Sequence, residues 1–257
     1  MSKREPTYKQ KAEAPDLYWL RKSLFRRFNS SLLGLANILE NNETFDGLAV
    51  ILDLKDFTGF CDQRDPHLVV PEFLDRFLNW LFQRMSEEFF DREEGLEVVL
   101  WSHLPIFGKF LGDGVLLLWD VTDITREARR NIIQALDVIC NDYEKLFLKQ
   151  IKGAFTRPPS KLRCGIAQGQ VTSIANGGDY TGLCINIASR LQKLGEGAFS
   201  FAFAKSGLDD KAGANWYSNF TLIRIPIRGI AKTELVYVLR KEHRAITKEQ
   251  QGEWRVK

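Results

Sequence analysis

Cysteine and histidine are scarce here, four and three respectively in 257 residues. Cys61, Cys140, Cys164 and Cys184 are widely spaced in apolar or near-apolar contexts, so neither a disulfide framework nor a paired metal motif is expected. His67, His103 and His243 are scattered and form no ligand cluster. No uninterrupted apolar run approaches the ~20 residues of a membrane helix, so no membrane span is expected. The N-terminus is charged and lacks the apolar core of a signal peptide. Charge of one sign is missing too. Lys and Arg number 36 against 33 Asp and Glu, and the net +3 is too small to argue for nucleic acid. A reduced, cytoplasmic protein is the simplest expectation. What is present, 44% hydrophobic and 27% charged residues, is enough for a substantial core.

Residues 1–15 carry charge and two prolines, Pro6 and Pro15, and read as a flexible tail. Over residues 16–42, Leu17, Leu20, Leu24, Phe28, Leu32, Leu35 and Leu39 recur at roughly helical spacing. Arg21, Lys22, Arg26 and Arg27 take the other faces of this amphipathic helix, which is expected to dock on its own domain rather than on a membrane surface. Strand Leu48–Asp53 follows, then a loop with Asp56, Thr58, Gly59 and Asp62. Pro66 opens a long helix to about Asp91. Glu97–Trp101 reads as a strand, Thr125 to about Lys149 as a helix. Lys161–Ala167 and Gln170–Ala175 read as two strands parted by Gly169. A short helix spans about Cys184 to Leu194, before strands near Phe199–Ala204, Phe220–Ile225 and Glu234–Leu239. Residues 241–257 read as a charged tail. The irregular alternation suggests one α/β (α+β) domain over 45–240, a mixed sheet with helices packed against it.

Two apolar runs flank Gly112-Asp113-Gly114, a strong hairpin signal. Asp113 suits such a turn for backbone reasons alone. A second apolar run, Gly47–Leu52, ends abruptly in Asp53. Two strands that each end in a carboxylate can converge on hard divalent cations, which take oxygen ligands and share them with phosphates. In the helix near 184–194, Asn186, Arg190 and Lys193 share one face and Ile187, Ala188, Leu191 and Leu194 the other. That is the pattern of a solvated polar face, and equally of an Arg fork placed for phosphate oxygens.

In order along the chain, these blocks resemble the class III nucleotidyl cyclases, the family of adenylate and guanylate cyclase catalytic domains. Asp53-Leu-Lys-Asp-Phe-Thr is similar to the family's Asp-Ile-Val-Gly-Phe-Thr, and Lys109-Phe-Leu-Gly-Asp113-Gly to Lys-Thr-Ile-Gly-Asp-Gly. A third block runs from Arg163-Cys-Gly-Ile through Asp179-Tyr-Thr-Gly to Asn186-Ile-Ala-Ser-Arg190, and a fourth is Arg228-Gly-Ile with Glu-Leu-Val-Tyr-Val-Leu after it. The resemblance implies a ferredoxin-like, mainly antiparallel sheet and a head-to-tail homodimer with sites shared between subunits. It implies that Asp53, Asp113 and the backbone carbonyl of Leu54 hold two divalent cations, Mn²⁺ or Mg²⁺. Asn186 would orient the ribose, Arg190 would balance charge on the α-phosphate, and Arg228 would bind the terminal phosphates. Lys109 and Asp179 match base-reading positions.

The sequence departs from that pattern in two places. Lys55 and Asp56 replace the Val-Gly pair, and the hairpin between Gly169 and Asp179 is several residues shorter than in typical purine cyclases. Lys109 and Asp179 supply one donor and one acceptor, which satisfy adenine, cytosine, uracil or guanine according to how they exchange partners. The short catalytic core without a sensor domain resembles the bacterial pyrimidine cyclases of Pycsar antiphage systems. UTP with cyclic UMP as product, acting on an effector protein, is therefore the favoured expectation, and ATP the alternative. A catalytically silent nucleotide-binding module and a polymerase-type palm are the rival classes. The near-balanced charge argues against a template-binding surface.

Overall fold

The computed structural model describes residues 9–11, 14–19, 22, 42–175, 177–206, 218–227 and 233–254. Two compact units divide the chain: Met1–Thr44 with Thr172–Thr181, and Phe45–Val171 with Gly182–Lys257. In the smaller unit, β1 (Lys9–Lys11) pairs antiparallel with β2 (Ala14–Trp19). This corrects two expectations, since part of the supposed tail is strand and the helix does not begin at Asp16. Leu17, Tyr18 and Trp19 are of the types that strands favour. Apart from Lys22 and Asn42, the rest of the expected helix lies outside the described residues.

The larger unit opens with β3 (Thr44–Lys55), α1 (Phe57–Cys61) and α2 (Pro66–Phe89). A small hairpin follows, β4 (Phe90–Glu94) with β5 (Glu97–Leu100), then β6 (Phe107–Phe110) and β7 (Gly114–Asp120). Helix α3 (Arg126–Asp142) runs through a π-turn, Tyr143–Phe147, to Gln150. Strand β8 (Lys161–Ile174), β9 (Asp179–Thr181) and α4 (Leu183–Leu191) precede a 3-10 turn at Leu194–Gly197. Last come β10 (Phe201–Ala204), β11 (Phe220–Pro226), β12 (Thr233–Leu239), α5 (Arg240–Ala245) and α6 (Lys248–Glu253).

The main sheet has the order β11-β12-β10-β8-β3-β7-β6, and β9 pairs with the end of β8. Strand β10 lies parallel to β8, whereas β11–β12, β12–β10, β3–β7 and β7–β6 are antiparallel. The expected mixed, mainly antiparallel sheet is what forms. Strand β8 is one strand, not two. Gly169 does not break it; a Cβ there would make only ordinary contact, 3.5 Å from Cys184 Cβ on α4, which packs over this part of the strand. In the smaller unit, Ile174 pairs with Asp179, so a four-residue turn closes the short hairpin.

Alternation along the strands sorts the two faces of the sheet. Leu48, Val50, Leu52, Leu54, Val115, Leu117, Trp119, Leu162, Cys164 and Ile166 enter one core with α2 and α3. There Phe77 and Trp80 of α2 meet Tyr143 and Phe147 of the π-turn, with the Trp80 and Phe147 ring centroids 5.1 Å apart. The buried Tyr143 hydroxyl donates to the carbonyl of Pro159 at 2.8 Å, and burial pushes its phenol well above the ordinary range. The intervening residues, Ala49, Ile51 and Asp53 on β3 with Arg163, Gly165 and Ala167 on β8, belong to the other face. Helix α4 packs there with Cys184, Ile187, Ala188 and Leu191 buried. It comes so close that a Cβ on Gly165 would lie 2.1 Å from the carbonyl oxygen of Ala188.

The expected C-terminal tail is folded as far as Trp254. Thr247 and Gln250 form a capping box that starts α6, and Trp254 is buried against Phe199. A Thr-Lys-Glu-Gln run followed by tryptophan was a start signal within a charged stretch. Among the described residues, no helix is long and apolar enough to cross a membrane.

Candidate active site

The site is built where β3 ends beside the β6–β7 turn. Asp53 pairs in register with Gly114, so Asp113, one residue earlier, is brought next to it. The turn is held by Leu111 N donating to Gly114 O at 2.8 Å, with Gly112 at φ +98°. Leu54 N in turn donates to the Asp113 carbonyl at 2.8 Å, which ties the turn to β3. Gly114 is a steric requirement, because a Cβ there would meet Leu52 O at 2.0 Å. The turn reading and the ligand reading of Asp113 are thus compatible: the backbone makes the turn, and the turn delivers the carboxylate.

Asp53 is 2% exposed, an unusual place for a carboxylate. Its Oδ2 accepts from Arg163 Nε at 2.9 Å and also from Arg163 Nη2. Burial pushes the Asp53 carboxyl above its ordinary value, and the Asp113 charge adds to the push. Hydrogen bonding and charge from Arg163 hold it back, as does the charge of Lys193. Sequence reading did not find Arg163. The available signal was alternation: Leu162 and Cys164 are core, so a charged residue between them takes the opposite face, beside the polar end of β3.

Asp56 stands at φ +68°, at the position where the resembled motif has glycine. Asp is among the few residues that tolerate this region. Its Oδ2 accepts from Ser160 Oγ at 2.8 Å, and Ser160 N donates to Lys55 O, so the departure is accommodated locally.

The remaining expected residues divide. Asn186 and Arg190 are exposed on α4, one turn apart on the same side. Arg190, Lys193, Ser189, Ile225, Ile227 and Trp254 line a cleft of about 640 Å³, which neither Asp53 nor Asp113 enters. Lys109 is exposed on β6 opposite Leu116. Asp179 belongs to the smaller unit, where its Oδ1 accepts from Tyr180 N at 2.9 Å. Arg228 lies outside the described residues.

The donor set can be tested against a divalent cation. Two carboxylates and a nearby backbone carbonyl are all oxygen, the chemistry that Mg²⁺ and Mn²⁺ take. Asp53 already has Arg163 as its counter-ion, so the charge that a cation would balance is that of the second carboxylate, Asp113, beside it. Among the described residues there is no cluster of three or more His, Cys, Asp or Glu side chains, so further ligands would have to come from substrate phosphates or water. The residues fit a cation shared with a phosphate substrate.

No protein-family model matches the sequence, and no curated protein matches it. Solved structures do share the fold. The adenylyl cyclase CyaB from P. aeruginosa matches with a TM-score of 0.54 at 16% identity, over 77% of this chain and 95% of that one. A bacterial light-regulated adenylyl cyclase matches at 0.52 and 15% identity, over 86% of this chain and 61% of that one. The catalytic core of a rhodopsin-guanylyl cyclase with converted specificity, in complex with ATPαS, matches at 0.50 and 15% identity, over 77% and 98%. With its mixed, mainly antiparallel sheet and packed helices, the chain has the fold of the class III nucleotidyl cyclase domain.

Proposed function

We propose that this protein is a nucleotidyl cyclase, converting a nucleoside 5′-triphosphate into a 3′,5′-cyclic nucleotide and pyrophosphate. The observation that carries the reading is the placement of Asp53 beside Asp113, where neighbouring strands of a class III cyclase fold meet the β6–β7 turn. In the reaction the ribose O3′ forms a bond to the α-phosphorus, the bond to the β-phosphate oxygen breaks, pyrophosphate leaves, and the hydroxyl proton passes to solvent.

Asp53, Asp113 and the Leu54 carbonyl would hold two divalent cations. When bound, these neutralise the triphosphate and make the 3′-hydroxyl a better nucleophile. Asn186 orients the ribose, and Arg190 places its guanidinium against charge that develops on the α-phosphate. Arg228 takes the terminal phosphates, and Lys109 with Asp179 reads the base. The resemblance to class III cyclases supports a head-to-tail homodimer in which each site combines the carboxylates of one subunit with Asn186 and Arg190 of its partner.

The substrate we favour is UTP, giving cyclic UMP as a cytoplasmic second messenger of bacterial antiphage defence that acts on an effector protein. What supports it is the likeness of the overall organisation to pyrimidine cyclases, not a residue that reads uracil. ATP is the second reading, supported by the adenylyl cyclase names of two proteins that share the fold. Incubation with ATP, GTP, CTP and UTP in turn, with Mn²⁺ or Mg²⁺, and mass analysis of the products tests both. Cyclic UMP establishes the first reading and cyclic AMP the second. No cyclic product from any of the four, from a dimeric and folded sample, would leave a silent nucleotide-binding module.

A further inference from the structure

The buried ion pair between Arg163 and Asp53 has no role in the reaction just described, and it occupies the first of its carboxylates. Both residues lie on the α4 face of the sheet, on the neighbouring strands β8 and β3. The two contacts from Arg163, through Nε and Nη2, fall on one oxygen, Asp53 Oδ2. The side chains are 13% and 3% exposed. The guanidinium is seated on its far edge as well. A Cβ on Gly197, which stands at φ +89° in the 3-10 turn, would lie 3.6 Å from Arg163 Nη1.

We propose that Arg163 is a built-in counter-ion of Asp53 that sets how tightly this site takes a divalent cation. The inference rests on the reading of Asp53 and Asp113 as cation ligands. A guanidinium is charged at every accessible pH and holds a carboxylate oxygen through a planar fork. A cation on Asp53 must therefore either displace that fork from Oδ2 or bind against its full positive charge. Both routes weaken cation binding. In the cation-free protein the same pair spares the fold a bare carboxylate in a buried place. On binding a cation Asp53 thus exchanges one positive partner, Arg163, for another, and the free protein holds divalent cations weakly.

The test uses the full chain without nucleotide. Free Mn²⁺ is followed by electron paramagnetic resonance during a titration at about pH 8, where exposed carboxylates are ionised. Arg163→Gln removes the charge and is expected to bind Mn²⁺ on the order of tenfold more tightly than wild type. Arg163→Lys keeps the charge on a different head group and should lie between them. Mn²⁺ should also raise the melting temperature of Arg163→Gln more than that of wild type. In an Asp53→Asn background, the Arg163→Gln exchange should leave Mn²⁺ binding unchanged. Unchanged or weaker binding by Arg163→Gln and Arg163→Lys, with wild type binding Mn²⁺, overturns the counter-ion role alone. So does a gain of equal size in the Asp53→Asn background. No Mn²⁺ uptake by wild type or variants overturns the cation reading of the site itself.

Discussion

Asp53 and Gly114 stand directly opposite each other across β3 and β7, and only glycine fits there because Leu52 O would lie 2.0 Å from any added Cβ. The pairing brings Asp113 next to Asp53, although 59 residues separate them in the chain. A sheet register, rather than a local motif, makes the pair.

That pair carries the first prediction. Asp53→Asn or Asp113→Asn should lower cyclic nucleotide formation about 10²-fold or more. Asp113→Asn should preserve the melting curve, whereas Asp53→Asn leaves Arg163 buried without its counter-ion and should lower it. Mixing an Asp113→Ala chain with an Arg190→Ala chain should restore part of the activity, since one of the two mixed sites then has both carboxylates and the arginine. Full activity of either carboxylate variant, or no rescue in a mixture shown by mass spectrometry to contain heterodimers, would count against the arrangement.

Gly114→Ala should destabilise the fold by roughly 2–4 kcal/mol, because the methyl group meets backbone that cannot turn aside. Urea unfolding checks this. Gly59→Ala is the contrast: a Cβ there meets nothing within 4 Å, and its helix should be little changed or slightly steadier.

At Asp56 two effects oppose each other. Asp56→Ala loses the Ser160 hydrogen bond and keeps an unfavourable φ, a cost of about 1–2 kcal/mol. Asp56→Gly loses the same bond but relieves the backbone, and should stay within about 0.5 kcal/mol of wild type. Equal losses in both variants would show that the side chain, not the left-handed backbone, decides this position.

The fourth prediction concerns pH. Burial raises the Asp137 carboxyl above its ordinary value of 3.8, against the opposing charge of Lys241 and a hydrogen bond from Asn141. Between the ordinary and the raised value, the folded protein holds more protons than the unfolded chain. Stability from this group therefore falls as pH rises through that window, and the deficit is complete above it. Asp137→Asn removes the deficit, so its stability advantage over wild type should grow from acid towards neutral pH. An advantage that is the same at every pH, in parallel urea titrations, would contradict the assignment.

Local chemistry was readable along much of the chain. Apolar periodicity located α2 and α3, and the Asp-Gly turn located β6 and β7 within a few residues. Where reading failed, the deciding contact was distant or the local signal ambiguous. Gly169 looked like a break because a glycine in a strand gives no sign of a helix packed over it. The C-terminal helices hid inside a charged stretch; Trp254 packed against Phe199 and Glu242 bonded to Ser200 are among the contacts that hold them. Lys55-Asp56 read as a departure from the motif. Folded, Asp56 takes the glycine's backbone conformation with help from Ser160, 104 residues away.

The sequence by itself determined that one carboxylate follows an apolar run and another sits in an Asp-Gly turn, and that one helix presents Asn186 and Arg190 on one side, since spacing along a chain dictates which side chains share a face. Only the tertiary structure decided that Asp53 is buried, that Asp113 stands beside it, and that Arg163 is its partner. Those facts depend on which strands neighbour one another and in what register, and hydrogen bonds between segments far apart in sequence set both.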